Sequence, residues 1–216
     1  MIDGIKFDMS LRESGTSGTS EKWRERAEQF LDEIDVFTPK IGKQTMEIIS
    51  SLSDIRLPEK NEQMRIRTQT QLNMISIIVK IVLEKEKIDE LTISTYTLNK
   101  EAFAVLENLV NSGRVKKLNL LISSSYNFRE PDWSKEIRKR SIKMGISLVF
   151  AWFHFKIALA RCGTDFFQIE GSMNFSTNNM AEQLVFENNE EVYDHDYNLL
   201  TVITTERKTK AVERVC

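Results

Sequence analysis

Cysteine and histidine are scarce in this sequence, with two of each: Cys162, Cys216, His154 and His195. Two thiols exclude a disulfide-rich scaffold and suit a reducing compartment. Scattered as they are, the two pairs draw no tetrahedral zinc pattern, so no metal and no cofactor is expected. Long hydrophobic runs are missing as well: the most apolar stretches, 74–83 and 146–153, fall far below the roughly 20 residues of a membrane span. Residues Met1 to Asp8 carry acidic groups where a secretory signal needs a basic patch and then an apolar stretch, which predicts a soluble, cytoplasmic protein. No charge of one sign prevails either. Thirty Lys and Arg against 32 Asp and Glu give a net charge of −2, so no global field gathers nucleic acid and any phosphate site must be local. What remains is 216 residues, 41% hydrophobic and 29% charged, enough for one compact domain with appendages.

The chain changes character along its length. Residues 9–20 are rich in Ser, Thr and Gly without apolar periodicity, so residues 1–20 read as a flexible arm. Over 21–35, Trp23, Ala27, Phe30, Leu31 and Ile34 recur at helical spacing behind the N-cap candidate Ser20. A second helix is expected after Pro39, with Ile41, Met46, Ile48, Ile49 and Leu52 as its apolar positions, which makes 21–58 a helical extension. From residue 59 to about 205 strands and helices alternate, the signature of an α/β layer arrangement. Strands are predicted over 64–68, 91–96, 117–123 and 146–152, and helices over 71–86, 100–111 and 131–144. Then Phe153 to Ala160 alternates strictly, Gly163 marks a turn, and Phe166 to Glu170 alternates again, which is a hairpin. A strand over 182–187 and a helix over 190–202 follow, and 206–216 forms a basic tail.

In an extended strand His154 and Lys156 share one face, with Phe153 and Phe155 on the other. The same period sets Ser172 and Asn174 together across the hairpin. An imidazole can attack phosphorus or carry a proton near neutral pH, while an ammonium and a carboxamide hold non-bridging oxygens. A carboxylate is the usual partner of such an imidazole, and Glu182, at the start of a strand, is the best candidate. The bland alternative is a hydrogen-bonded sheet histidine beside a Gly-Ser-Met-Asn turn. His195, on the last helix, reads as a surface or capping residue. Lys135, Arg138, Lys139, Arg140 and Lys143 read as a solvated helix face. Arg65 and Arg67, on one face of one strand, are harder to dismiss and are candidates for contact with a nucleic-acid backbone.

His154-Phe155-Lys156 followed by Gly171-Ser172-Met173-Asn174 resembles the signature of the phospholipase D-like superfamily, His-x-Lys, an Asp further on, and Gly-Ser-x-Asn. The resemblance covers about 65–200. It implies a mixed sheet flanked by helices and a metal-independent phosphodiesterase, most often a nuclease in members with one motif. It also implies His154 as the nucleophile of a phosphohistidine intermediate, Lys156, Ser172 and Asn174 as phosphate ligands, and Glu182 as the group orienting His154. Two motifs make one site in this family, so a chain with one is expected to form a two-fold homodimer with both copies of His154 in a shared cleft. Arg161 stands where the signature has Asp. That departure raises one alternative, a binding module for phosphodiesters or nucleic acid that has lost turnover, and the amphipathic N-terminal helices raise another, a structural or interaction protein that docks a partner through them.

Overall fold

The computed structural model describes residues 41–49, 52–68, 73–175 and 182–212. The expected arm and the helix over 21–35 lie outside them. Eight strands form one mixed sheet: β1 (Lys43–Ile49), β2 (Glu62–Thr68), β3 (Glu90–Thr95), β4 (Leu118–Ser123), β5 (Ser147–Ala151), β6 (Ile157–Cys162), β7 (Asp165–Gly171) and β8 (Glu182–Asn188). The helices are α1 (Met74–Lys85), α2 (Lys100–Asn111), α3 (Ser124–Arg129), α4 (Pro131–Lys143) and α5 (Glu190–Val212). Strand order across the sheet is β1-β2-β8-β7-β6-β3-β4-β5. β3, β4 and β5 are parallel, joined by helical crossovers, while β6, β7 and β8 form an antiparallel meander that returns the chain to β2.

The helix expected after Pro39 is a strand. Ile41, Met46, Ile48 and Ile49 fit helical spacing, yet Thr45, Ile48 and Ile49 are β-branched, and β1 pairs in parallel with β2 from Lys43 opposite Glu62 to Ile49 opposite Thr68. Long-range pairing overrides a weak local preference. The sheet therefore starts at Lys43, ahead of the boundary expected at residue 59.

Period-two alternation sorts the sheet into two faces. One carries Met64, Ile66, Leu91, Ile93, Leu120, Ala158, Ala160, Ile169, Leu184 and Phe186, which pack with residues of α1, α2, α3 and α4 into the main core. Asn73 and Asn99 cap α1 and α2 by accepting from the Ser76 and Ala102 backbone N–H groups at 3.0 and 2.9 Å. On the opposite face Leu121, Ile157 and Leu159 meet Tyr193 and Leu200 of α5 in a smaller cluster. α5 continues past the expected stop at Val202 and into the basic tail. The threonines in this stretch keep their hydroxyls on the helix, with Thr201, Thr204 and Thr205 donating to the carbonyls of Tyr197, Leu200 and Thr201 at 2.8 to 2.9 Å.

Glu62 fastens the start of β2. Its side chain is 1% exposed and takes both arms of the Arg56 guanidinium at 2.6 Å, the Glu59 N–H at 2.9 Å and Lys43 Nζ at 3.2 Å. The Arg56 bonds outweigh burial and hold the carboxyl well below its ordinary 4.5, at about 2. A lowered folded-state value gives stability that is present above about pH 4.5 and lost as pH falls through about 2. Because Arg56 is partly solvated, Glu62→Gln is expected to cost about 2 kcal/mol rather than the full value of the shift. Urea melts of both proteins at neutral pH should show that gap, and it should shrink steadily on acidification.

Candidate phosphodiester-binding site

β2, β3, β4, β5 and β7 end, and β6 and β8 begin, at the same edge of the sheet. The sequence-predicted residues collect there. β6 starts at Ile157, opposite Ser94 of β3 and Glu170 of β7. His154 and Lys156 therefore lie in the loop 152–156 rather than in the strand expected over 153–160. The reason is the length of the partners: the ladder with β3 stops at Ser94, whose hydroxyl accepts the Ile157 N–H at 3.1 Å and closes the register. Side-chain alternation persists beyond the ladder nonetheless. Phe153 and Phe155 stack at 4.9 Å and pack against the Ile157 and Leu159 cluster, while Lys156 is 8% exposed and His154 is open to solvent.

One backbone contact joins the two halves of the motif. Gly171 N–H approaches the Lys156 carbonyl at 3.4 Å, one step past the last ladder pair. Gly171 also runs hard against β8: a Cβ there would lie 2.4 Å from the Gln183 oxygen and 2.9 Å from Leu184 Cα. Only glycine lets the chain pass, and Ser172 then donates its N–H to the Gln183 carbonyl at 3.1 Å. The Ser172 hydroxyl is hydrogen-bonded to the Glu182 carboxylate. The expected role of Glu182 was to orient His154, and the contact described for it is with Ser172. Asn174 is half-buried, and among the described residues its Oδ1 has no hydrogen-bond partner. A buried carboxamide atom without a partner is uncommon and suits a group that awaits a ligand.

Two residues that sequence reasoning missed complete this edge. Tyr96, just past β3, packs its ring on the His154 imidazole at 4.6 Å, and Lys156 Nζ stands 5.9 Å from the same ring. Arg129, at the end of α3, covers that ring with its guanidinium at 4.9 Å. Lys156 Nζ also donates to the His154 carbonyl at 3.0 Å, which ties the loop into a tight turn. The signal that would have found Tyr96 is its place: an aromatic one residue past a strand that ends where His154 begins.

Arg65 and Arg67 are exposed on β2, and Arg65, Arg67, Glu170, Gly171, Gln183 and Val185 line an open groove of about 330 Å³ that reaches the Ser172 edge. Neither arginine has an ion pair among the described residues. Desolvation, and then Asp196, push the Glu170 carboxyl above its ordinary range. Arg161 sits at the other end of β6, with Nη2 3.5 Å from Glu90 Oε2. Glu90 is also held by Lys117 at 2.5 Å and by Asn119 and Tyr197 at 3.0 Å. Asp165, at that same far end, is bound to Lys85 and to Asn188. His195 lies on α5 with Nδ1 2.9 Å from Asp196. On α4, Arg140 is paired with Glu107 and Lys135 with Asp132, so that helix is largely the solvated face expected.

The molecule is thus an α/β protein whose one mixed sheet gathers a histidine, a lysine, a serine and an asparagine at a single edge. Polyphosphate kinase from Porphyromonas gingivalis is similar over 65% of this chain and 26% of its own, with TM-score 0.52 and 17% identity. Nuc, a phospholipase D family member from Salmonella typhimurium, matches with TM-score 0.42 and 13% identity over 59% of this chain and 86% of its own. TrmBL2, an archaeal chromatin protein with a novel mode of DNA binding, matches with TM-score 0.43 and 12% identity over 88% of this chain and 66% of its own. No protein-family model and no curated protein matches the sequence. The fold is the α/β arrangement of one mixed sheet flanked by helices that this polyphosphate kinase shares. The chain spans about a quarter of the length of that polyphosphate kinase.

Proposed function

We propose that the chain is a metal-independent phosphodiesterase, specifically a nuclease, working through a phosphohistidine at a site shared by two copies. In the first step an imidazole nitrogen of His154 attacks phosphorus, and one P–O ester bond breaks as the N–P bond forms. The leaving oxygen takes a proton from the second copy's His154. That imidazole then draws a proton from water, which attacks phosphorus, breaks the N–P bond and frees His154 with a phosphomonoester product. Lys156 and the Asn174 carboxamide N–H balance the charge that builds on the non-bridging oxygens, and Ser172, its hydroxyl held by Glu182, keeps the turn that carries Asn174 in place. Tyr96 fixes the plane of the imidazole.

The observation that carries this reading is the Gly171 to Lys156 contact, because it sets both motif halves side by side. A binding module without turnover is the alternative raised by Arg161. The five-residue step from Lys156 to Arg161 corresponds to roughly 17 Å of strand, and the guanidinium there pairs with Glu90. A change so far from the reacting atoms is a structural exchange, which favours an enzyme. The dimer is tested by sedimentation at micromolar concentration: a two-fold species is expected, and a strictly monomeric protein that cleaves phosphodiesters would contradict a shared site. Incubation with DNA, RNA and a chromogenic phosphodiester in excess chelator tests the activity itself, with cleavage expected in all conditions that spare His154.

A further inference from the structure

Two large aromatic side chains stand in solvent beside this edge. Trp152 is 61% exposed and Phe128 71% exposed, and their rings stack on each other with centroids 5.8 Å apart and planes 25° from parallel. Trp152 opens the loop that carries His154 and Lys156. Phe128 precedes Arg129, whose guanidinium covers the Tyr96 ring that packs on His154. Exposing two stacked rings costs solvation free energy without any gain to the fold, so an exposed pair of this size points to a ligand.

We propose that Phe128 and Trp152 form a base-stacking platform and that the substrate held at the His154 edge is single-stranded nucleic acid. This rests on the phosphodiester reading above and adds the substrate class. A nucleic-acid strand carries anionic phosphates and flat bases, and this part of the edge offers a partner for each: Lys156 and Arg129 for phosphates and the ring pair for a base. Arg129 has no ion pair among the described residues, so its guanidinium is left to meet an anionic group beside the ring faces. A duplex fits poorly, because each paired base already has both faces covered by its neighbours.

Binding of fluorescein-labelled oligonucleotides, followed by anisotropy on the His154→Ala protein so that no strand is consumed, decides the matter. Three probes of equal length are compared at one salt concentration: a mixed-sequence single strand, an abasic single strand and a blunt duplex. The mixed strand is expected to bind about tenfold more tightly than the other two, the scale of one stacked base. Trp152→Ala should bring the ratio of mixed to abasic strand close to one, and Trp152→Phe should restore most of it. An unchanged ratio in Trp152→Ala, or a duplex bound as well as the single strand, overturns the platform. So does conversion of a dimer to a monomer by Trp152→Ala, which would assign the rings to a second copy. If no oligonucleotide binds at all the platform fails too, while wild-type turnover of the chromogenic phosphodiester would still uphold the His154 chemistry, which separates the two failures.

Discussion

His154→Ala is expected to lower phosphodiester cleavage by roughly 10⁴-fold or more while changing substrate affinity only a few-fold. The asymmetry follows from where the side chain sits. His154 is exposed, and its described ring contact is the stack on Tyr96, so removing the imidazole breaks no hydrogen bond that the fold uses. Lys156 Nζ bonds to the His154 carbonyl, which alanine keeps. The loop should hold its turn, and Lys156 should remain where it is. What disappears is the atom that forms the bond to phosphorus, and no neighbouring group replaces it, since Ser172 is committed to Glu182 and Lys156 carries a positive charge. Single-turnover rates and a Kd for the same substrate separate the two quantities. Loss of affinity in step with loss of rate would mean that His154 is a binding residue.

The largest effect on stability is expected at Gly171. Alanine there sets a methyl 2.4 Å from the Gln183 carbonyl oxygen and 2.9 Å from Leu184 Cα, and both obstacles are backbone of β8, which β2 holds on its other side. No rotamer change relieves such a contact, so β7 and β8 have to part, at a cost of about 3 kcal/mol or more. For a chain of this size that corresponds to a fall in Tm of roughly 10 °C. Gly145→Ala is the useful contrast. Its φ is 68° and a Cβ there meets nothing within 4 Å, so only left-handed strain remains, about 1 kcal/mol. Thermal melts of the two variants should rank in that order. Gly171→Ala should also impair turnover, because parting β7 from β8 withdraws Ser172 from Gln183 and Glu182.

The alternation of strands and helices from β2 onward was legible because each element keeps one period, two or 3.6, and most are punctuated by a capping Asn, Pro131 or a left-handed Gly. Gly113, Gly145 and Gly163 have φ of 70°, 68° and 61°, and each ends or turns an element where the sequence suggested. The failures have physical causes. β1 was hidden because its apolar spacing fits a helix, and only its partner β2 decides between the two. α3 spans six residues and has no side-chain N-cap hydrogen bond, which leaves no periodicity to read. Missing α3 also meant missing Arg129 and Phe128.

The site divides along the same line. His154, Lys156, Ser172 and Asn174 are close in the chain or across one hairpin, so period-two alternation was enough to associate them. Tyr96, Arg129 and the Phe128 ring arrive from β3 and α3, elements that meet the hairpin only through the order β7-β6-β3-β4. No local pattern announces them. Gly171 lies between the two cases: its motif position was visible, but the reason for it, a collision with β8, is a property of the packed sheet.

As the proposed nucleophile, the His154 imidazole must bond to phosphorus during turnover. The direct measurement is mass spectrometry of the protein quenched in alkali during turnover of a phosphodiester, since an N–P bond survives base and is lost in acid. A mass increase matching the phosphoryl fragment, localised to the peptide that contains His154 and absent from His154→Ala, is the predicted result. Turnover with no adduct on that peptide, or an adduct that persists in His154→Ala, would contradict it.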